Sequence, residues 1–511
     1  MFSFNTQTKN TMKKLLNRYI TFIFLCSGIL FGSCKKYINE GPIDTPTTDN
    51  FWTSQKAAES GLAGAYGLLR SALVNGHSYY VFGDATANEF SNLNDNTAYG
   101  SLKPSNQWNF NYVPYQAGSL QNWTMFYQVI SQCNLIISKV PNIPASTFTG
   151  DVTAIKNQML GEAYFIRAYC YYYITQVWGE PVIVTEAYAD PINAKPIARS
   201  TDAQGFAQAV IDAKKAISLM QYGYADLSKV AVQANRGTAF ALLAKIYMWQ
   251  KQYQPAAAAA DSVIQRGGYN LESGAAFSNI FKGHSQESIF EMNMLYSPNQ
   301  NEAQSGTDGI FAIFLANPFV FGKTTSWNVN TELVNNLYDT TSTSTDVRVK
   351  ATFYGLLSNA LMVKYANVVY QNPSQQTLPF VSNNMVLMRL ADIYLLKAEA
   401  NYNLSNYGAA VQNLNIVRAR AGIDPYTLGD PTDLLYTIMD ERGRELFGEG
   451  QWYFDLVRSR LIDDPNYPNF VEGYLTNRIN NRGYLWPLDL RTLLPQDPLL
   501  TQNAWWSQNG L

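Results

Sequence analysis

The chain has 511 residues, enough for about three domains or one large body with a substantial core. Charged residues make up only 15% and aromatics 14%, with 34 Tyr and 10 Trp; ordinary soluble domains carry about 25% charge, so a neutral, polar and aromatic surface is expected. A formal net charge of −2 excludes the basic footprint of a nucleic-acid binder, and 47% hydrophobic residues exclude general disorder.

The first element is an address. Lys13, Lys14 and Arg18 precede the apolar run Tyr19 to Phe31, which has the length of a signal-peptide core and is short for a bilayer span. The run closes on Leu30-Phe31-Gly32-Ser33-Cys34, small residues before a Cys, and resembles a bacterial lipobox with Phe31 where Leu is usual. Residues 1–33 are therefore expected to be a lipoprotein signal peptide, and Cys34 the lipidated mature N-terminus. Lys9, Lys13, Lys14 and Arg18 are the only charged residues removed with it, which takes the net charge from −2 to −6. The polar, Pro-containing stretch Lys35 to Thr48 suits a tether. Cys133 and Cys170 fall inside helical patterns and form neither a disulfide framework nor a metal spacing.

Helices dominate the rest of the chain. Apolar residues at spacings of three and four predict a first pair over Thr53 to Leu73, with Ala58, Leu62, Ala65 and Leu69 on one face, and Trp123 to Val140. Glu162 to Val177, stopped by Gly179-Glu180-Pro181, pairs with Asp202 to Met220. Arg236 to Gln250 with Pro255 to Arg266 makes a third pair, and Met385 to Tyr402 with Gly408 to Ala421 a fourth. The last two pairs superpose at an offset of 154 residues: Ala244 on Ala398, Tyr253 on Tyr407, Ala256 on Ala410, Val263 on Val417. Small residues where helices face each other and a Tyr at the turn are the logic of tetratricopeptide (TPR) repeats. The fold expected is mostly α: four irregular TPR-like pairs, a few short strands, and long loop-rich segments over Asn75 to Gln121, Gly267 to Asn384 and Asp424 to the end. Loops that long inside a compact body are usually functional.

Catalytic patterns are sparse. With only His77 and His284, paired-His zinc motifs cannot occur. Gly283-His284-Ser285-Gln286-Glu287 begins like a nucleophile elbow but lacks the closing Gly. Asp440, Glu441, Glu445 and Glu449 could be read as paired acids for glycoside hydrolysis. Their helical spacing, with Asp440 to Arg444 at i,i+4 and Arg442 three residues before Glu445, favours a salt-bridge network instead. No catalytic residue, metal ligand or cofactor site is expected.

Four separated motifs resemble the SusD/RagB-like outer-membrane nutrient-binding lipoproteins. They are Gly161-Glu162-Ala163-Tyr164-Phe165-Ile166-Arg167-Ala168-Tyr169 with Trp178-Gly179-Glu180-Pro181; Leu387-Met388-Arg389-Leu390-Ala391-Asp392 through Ala398-Glu399-Ala400; Glu441-Arg442-Gly443-Arg444-Glu445-Leu446 with Glu449-Gly450-Gln451-Trp452; and Leu485-Trp486-Pro487-Leu488 through Asn503. The resemblance implies an N-terminal SusD-like region over 34–235 holding the first two pairs, and a C-terminal RagB/SusD region over 236–511 holding the last two. It further implies a non-catalytic lipoprotein on the exterior of the outer membrane that binds oligosaccharide or polysaccharide and delivers it to a TonB-dependent SusC-like transporter. Peptide capture, or a TPR-like scaffold with no small ligand of its own, are the alternatives.

A sugar ring offers a flat C–H face edged by hydroxyls, so its binder needs open aromatic platforms beside amide or hydroxyl groups. Most of the helical Tyr, such as Tyr171, Tyr172 and Tyr173, are expected in the core. The loop clusters are the candidates: Tyr99, Trp108, Tyr112 and Tyr115 with Asn109, and Tyr296, Phe319, Phe321 and Trp327 with Asn328.

Overall fold

The computed structural model describes residues 51–93, 120–188, 194–297, 309–325, 327–469 and 476–509. The chain divides into two units, Met1–Thr53 and Ser54–Leu511, and the described helices and strands all belong to the second. The expected signal peptide, Cys34, the expected tether and the first aromatic cluster lie outside the described residues.

Helix α1 (Gln55–Val74) starts where the Ser54 hydroxyl accepts from Ala57 N, and it buries Ala58, Leu62, Ala65 and Leu69 in one stripe. A short helix α2 (Ser78–Gly83) and strand β1 (Phe90–Leu93) come next. Helix α3 (Thr124–Lys139) packs on α1 and on α4 (Val152–Trp178), which is longer than its apolar pattern suggested and is buried almost without interruption from Gly161 to Trp178. Helix α5 (Asp202–Leu219) opens with a reciprocal capping box, Thr201 with Gln204, and leads to α6 (Arg236–Trp249) and α7 (Tyr253–Arg266). From α3 onward each of these helices packs on its predecessor, so the first three pairs form a continuous stack.

The segment to residue 389 is built from short pieces: β2 (Ser288–Met292), β3 (Trp327–Val329), α8 (Thr331–Leu337), α9 (Val347–Thr352), β4 (Phe353–Tyr354), β5 (Leu361–Met362), β6 (Val368–Asn372), β7 (Thr377–Val381) and β8 (Met385–Arg389). Among the described residues they make four two-stranded antiparallel sheets, β1 with β3, β2 with β8, β4 with β5 and β6 with β7. Met385 to Arg389 is thus a strand, where helical spacing predicted the start of the fourth pair. All five residues are buried and the strand bonds to β2, so the helix begins only at Leu390.

Helices α10 (Leu390–Asn403) and α11 (Tyr407–Ala421) complete the fourth pair. The 154-residue repeat is kept in backbone detail. α6 and α10 begin at Arg236 and Leu390 and end at Trp249 and Asn403; Lys251 and Ser405 both take a positive φ; Gln252 N donates to Tyr247 O and Asn406 N to Asn401 O, each at 2.8 Å. Ala244, Ala256 and Val263 and their counterparts Ala398, Ala410 and Val417 are all fully buried. The region after Asp424 is less loop-rich than expected. It holds α12 (Pro431–Leu446), α13 (Trp452–Ser459), α14 (Thr476–Asn480) and α15 (Ala504–Gln508). Leu434 and Ile438 of α12 close the core made by Ala391, Leu395, Ala398, Ala410, Leu414 and Val417.

Much of the aromatic content is internal. Tyr79, Tyr80, Phe82, Phe126, Tyr173 and Trp178 are buried in ring contacts with one another, and Tyr171 is held by Val184, whose carbonyl accepts from the Tyr hydroxyl at 2.7 Å. Among the described residues no helix is long and apolar enough to cross a membrane.

Candidate functional site

The acidic helix α12 is a structural centre. Arg348 Nη1 donates to Glu441 Oε1 at 2.6 Å and to Glu445 Oε2 at 2.9 Å, and its other guanidinium nitrogens hold Asp346. Arg389 donates to Glu287, Glu445 and Glu449; Arg420 to Glu287 and Glu445; Lys364 to Glu449. All of these side chains are buried. Burial alone would raise the Glu441 carboxyl, but the cations of Arg348 and Arg444 outweigh it and hold it at about 2. A second cluster joins Arg442 to Asp392 and Asp455, with Lys245 on Asp392 and Arg458 on Asp455 and Glu399. The predicted network exists, with other partners: Arg444 reaches Glu441 at i,i+3, while Asp440 accepts from Tyr467 and Asn469. Glu441, Glu445 and Glu449 therefore present no open pair of acids to a sugar ring.

The Gly283–Glu287 run has no elbow geometry either. The Ser285 hydroxyl donates to Glu272 at 2.7 Å, while His284 Nδ1 lies 2.9 Å from Val230 O. Cys133 and Cys170 are buried, and burial pushes both thiols up.

The open aromatic surface lies on the short hairpins. On β4 the period of two turns Phe353 inward, against Phe447 and Tyr338, and Tyr354 outward with 47% of its surface exposed. Tyr354 meets Phe319 edge to face at 5.2 Å. Phe319 and Phe321 sit on a tight turn closed by Asn317 N donating to Lys323 O at 3.0 Å, and Phe321 is 65% exposed. The Tyr370 hydroxyl from β6 pins this turn, accepting from Phe321 N at 3.1 Å and donating to Phe319 O at 3.4 Å. Asn328 Nδ2 donates to Asn359 Oδ1 at 2.5 Å, which ties β3 to the β4–β5 hairpin that carries Tyr354. Exposed rings and side-chain amides carried on neighbouring strands and turns are the groups that stacking and hydroxyl recognition require.

The residues singled out in the sequence fare differently. Tyr99, Trp108, Asn109 and Tyr112 lie outside the described residues, although β1, which runs into that segment, pairs with β3 through Asn92 opposite Asn328. Asn328 is half-buried and bonds to Asn359 of the β4–β5 hairpin. Tyr296 is half-buried and stacks on Phe380 of β7 at 4.5 Å, bracing the hairpin. Trp327 is fully buried among Phe90, Phe314 and His77. In β3 the ring points inward while Asn328 points out, so Trp327 has no face to offer a ligand. Tyr354 and Tyr370 were not among the sequence candidates; an aromatic directly before Gly355 in a hairpin was the available signal.

Comparison with known proteins agrees with this architecture. A family model described as "SusD family" matches residues 269–506, and one described as "Starch-binding associating with outer membrane" matches 45–248. SusD-like protein P38 of Formosa agariphila is 27% identical, with 96% of this chain and all of that protein aligned. A SusD-like protein of Bacteroides ovatus is 24% identical over 89% of this chain and 86% of its own. A solved SusD homolog from Bacteroides thetaiotaomicron superposes with a TM-score of 0.75 over 89% of this chain and 99% of that one, at 21% identity. The mostly helical body of TPR-like pairs is thus the SusD fold. The chain belongs to the SusD/RagB-like family.

Proposed function

We propose that this protein is a non-catalytic lipoprotein of the outer membrane, anchored through Cys34 and facing the cell exterior, that binds oligosaccharide or polysaccharide and passes it to a TonB-dependent SusC-like transporter. Family membership carries the reading, because the models covering both halves of the chain describe SusD and outer-membrane starch-binding proteins. The surface of Phe319, Phe321 and Tyr354, with Asn328 and Asn359 on neighbouring strands and turns, supports it physically: rings for C–H faces, amides for hydroxyls. Tyr99, Trp108, Asn109 and Tyr112 are proposed as further contacts, and Tyr296 as a support of the β6–β7 hairpin.

Calorimetry of the mature chain from residue 34, carrying Cys34→Ser, against oligosaccharides and mixed peptides tests the reading. Glycan binding weakened by Phe321→Ala, Tyr354→Ala or Trp108→Ala is expected. Binding of peptides alone, or of glycans with all three variants unaffected, would overturn it. Co-purification of a barrel transporter with the anchored protein tests the partner.

A further inference from the structure

The turn that carries Phe321 is folded largely by its own backbone. The amides of Phe319 and Val320 donate to Ala316 O at 2.8 and 3.0 Å, Lys323 N donates to Val320 O at 3.2 Å, and Gly322 takes the positive φ, 70°, that the reversal needs. Val320 is buried and anchors the turn, which leaves Phe321 outside. The one hydrogen of the Phe321 amide goes elsewhere: it is donated to the Tyr370 hydroxyl at 3.1 Å, on a strand 49 residues further along the chain.

Tyr370 is itself held from behind. On β6 and β7 Val369 stands opposite Phe380 and Tyr370 opposite Pro379, and the period of two sends these pairs to opposite faces of the hairpin. On one face Phe380 stacks on Tyr296 at 4.5 Å, and Tyr296 N donates to Ser382 Oγ at 3.0 Å; from the other, Tyr370 reaches the turn. Its hydroxyl also lies 3.4 Å from Phe319 O, a longer and weaker contact, and Phe319 meets Tyr354 edge to face at 5.2 Å. The ring-bearing turn is thus fixed against both hairpins.

A ligand that stacks on an exposed ring must order that ring and the backbone beneath it, and the loss of their freedom is subtracted from the affinity. A ring whose amide is already bonded has lost part of that freedom before the ligand arrives. We infer that Tyr370 is a positioning residue of this surface: its hydroxyl presets Phe321 for stacking, and its contribution to binding runs through Phe321. The inference rests on the reading of this surface as the glycan site.

The test is a double-mutant cycle on the mature Cys34→Ser chain, read by calorimetry with whichever of malto-, xylo-, manno- or galacturono-oligosaccharides the unmodified chain binds. Phe321→Ala should weaken binding about tenfold and Tyr370→Phe about fivefold. The melting temperature of Tyr370→Phe should stay within about 2 °C of the unmodified chain, since the change removes hydrogen bonds only at the surface. The double variant should bind no more weakly than Phe321→Ala alone. Unaltered binding by Tyr370→Phe, losses that multiply in the double variant, or a melting temperature of Tyr370→Phe lower by about 5 °C or more would overturn the positioning role and leave the site in place. Binding indifferent to Phe321→Ala, or no binding by any of the probes, would overturn the site itself and the inference with it.

Discussion

Arg348 and Glu441 stand 93 residues apart in the chain and meet in an ion pair with no exposed surface on either side chain, Nη1 to Oε1 2.6 Å. The pair fastens α9 to α12 and, through Glu445, to Arg389 and Arg420. Removing one partner of such a pair leaves the others charged and dry, a loss of about 3–5 kcal/mol. Arg348→Met should therefore lower the thermal midpoint by several degrees or drive the protein into the insoluble fraction. A melt like that of the unmodified protein would show that the network contributes nothing to stability.

Stability should vary with pH in two opposite ways. Glu441, held at about 2 against an ordinary 4.5, contributes stability that is present above about 4.5 and disappears as pH falls toward about 2. Glu162 and Glu291 are pushed up to about 7, chiefly by burial. Their contribution is present below about 4.5 and disappears as pH rises through about 7. The melting temperature should thus peak in mildly acid buffer. Glu162→Gln keeps the shape of the neutral acid and should flatten the decline above about pH 6; an unchanged alkaline limb in a melt series would refute the assignment.

Trp327 and Phe321 should separate cleanly. Trp327→Ala empties a fully buried site and should cost about 3–5 kcal/mol in denaturant melts. Phe321→Ala, on an exposed ring, should leave the melt nearly unchanged while weakening glycan binding. Equal stability of the two variants would contradict the inward setting of Trp327.

Cys34→Ser should abolish lipid attachment. Metabolic labelling with a fatty acid would report it, together with release of the protein from the membrane fraction. Label retained in the variant would move the anchor to another residue.

The helix pairs were legible because each buries a stripe of small and aliphatic residues with helical spacing, and the 154-residue repeat because both copies solve the same hairpin problem. Strand β8 was hidden: Met385-Val386-Leu387-Met388 continues the apolar pattern of the helix behind it, and its partner β2 lies about 100 residues upstream, where no local rule reaches. Helix α12 was legible only in its charged half, through the i,i+4 spacing of Asp440 and Arg444, and its extent was hidden because Glu441, Arg442 and Glu445 occupy inward positions that binary patterning reserves for apolar residues. Composition could single out aromatic loops but not which of their rings are exposed. In a three-residue strand nothing local decides whether Trp327 or Asn328 faces out; that is set by Phe90 and Phe314, which close over the indole from other segments.

The Glu449-Gly450 turn adds a constraint of timing. Gly450 N donates to Asp84 and Gly448 N to Glu89, across 366 and 359 residues. Gly83 and Gly450 lie so close that a Cβ on Gly83 would overlap the Gly450 carbonyl. Two buried carboxyls near the front of the chain thus find their donors only when its last quarter is present. A chain delivered N-terminus first leaves these two carboxyls without their Gly448 and Gly450 donors until its last quarter arrives, so this part of the body is completed late.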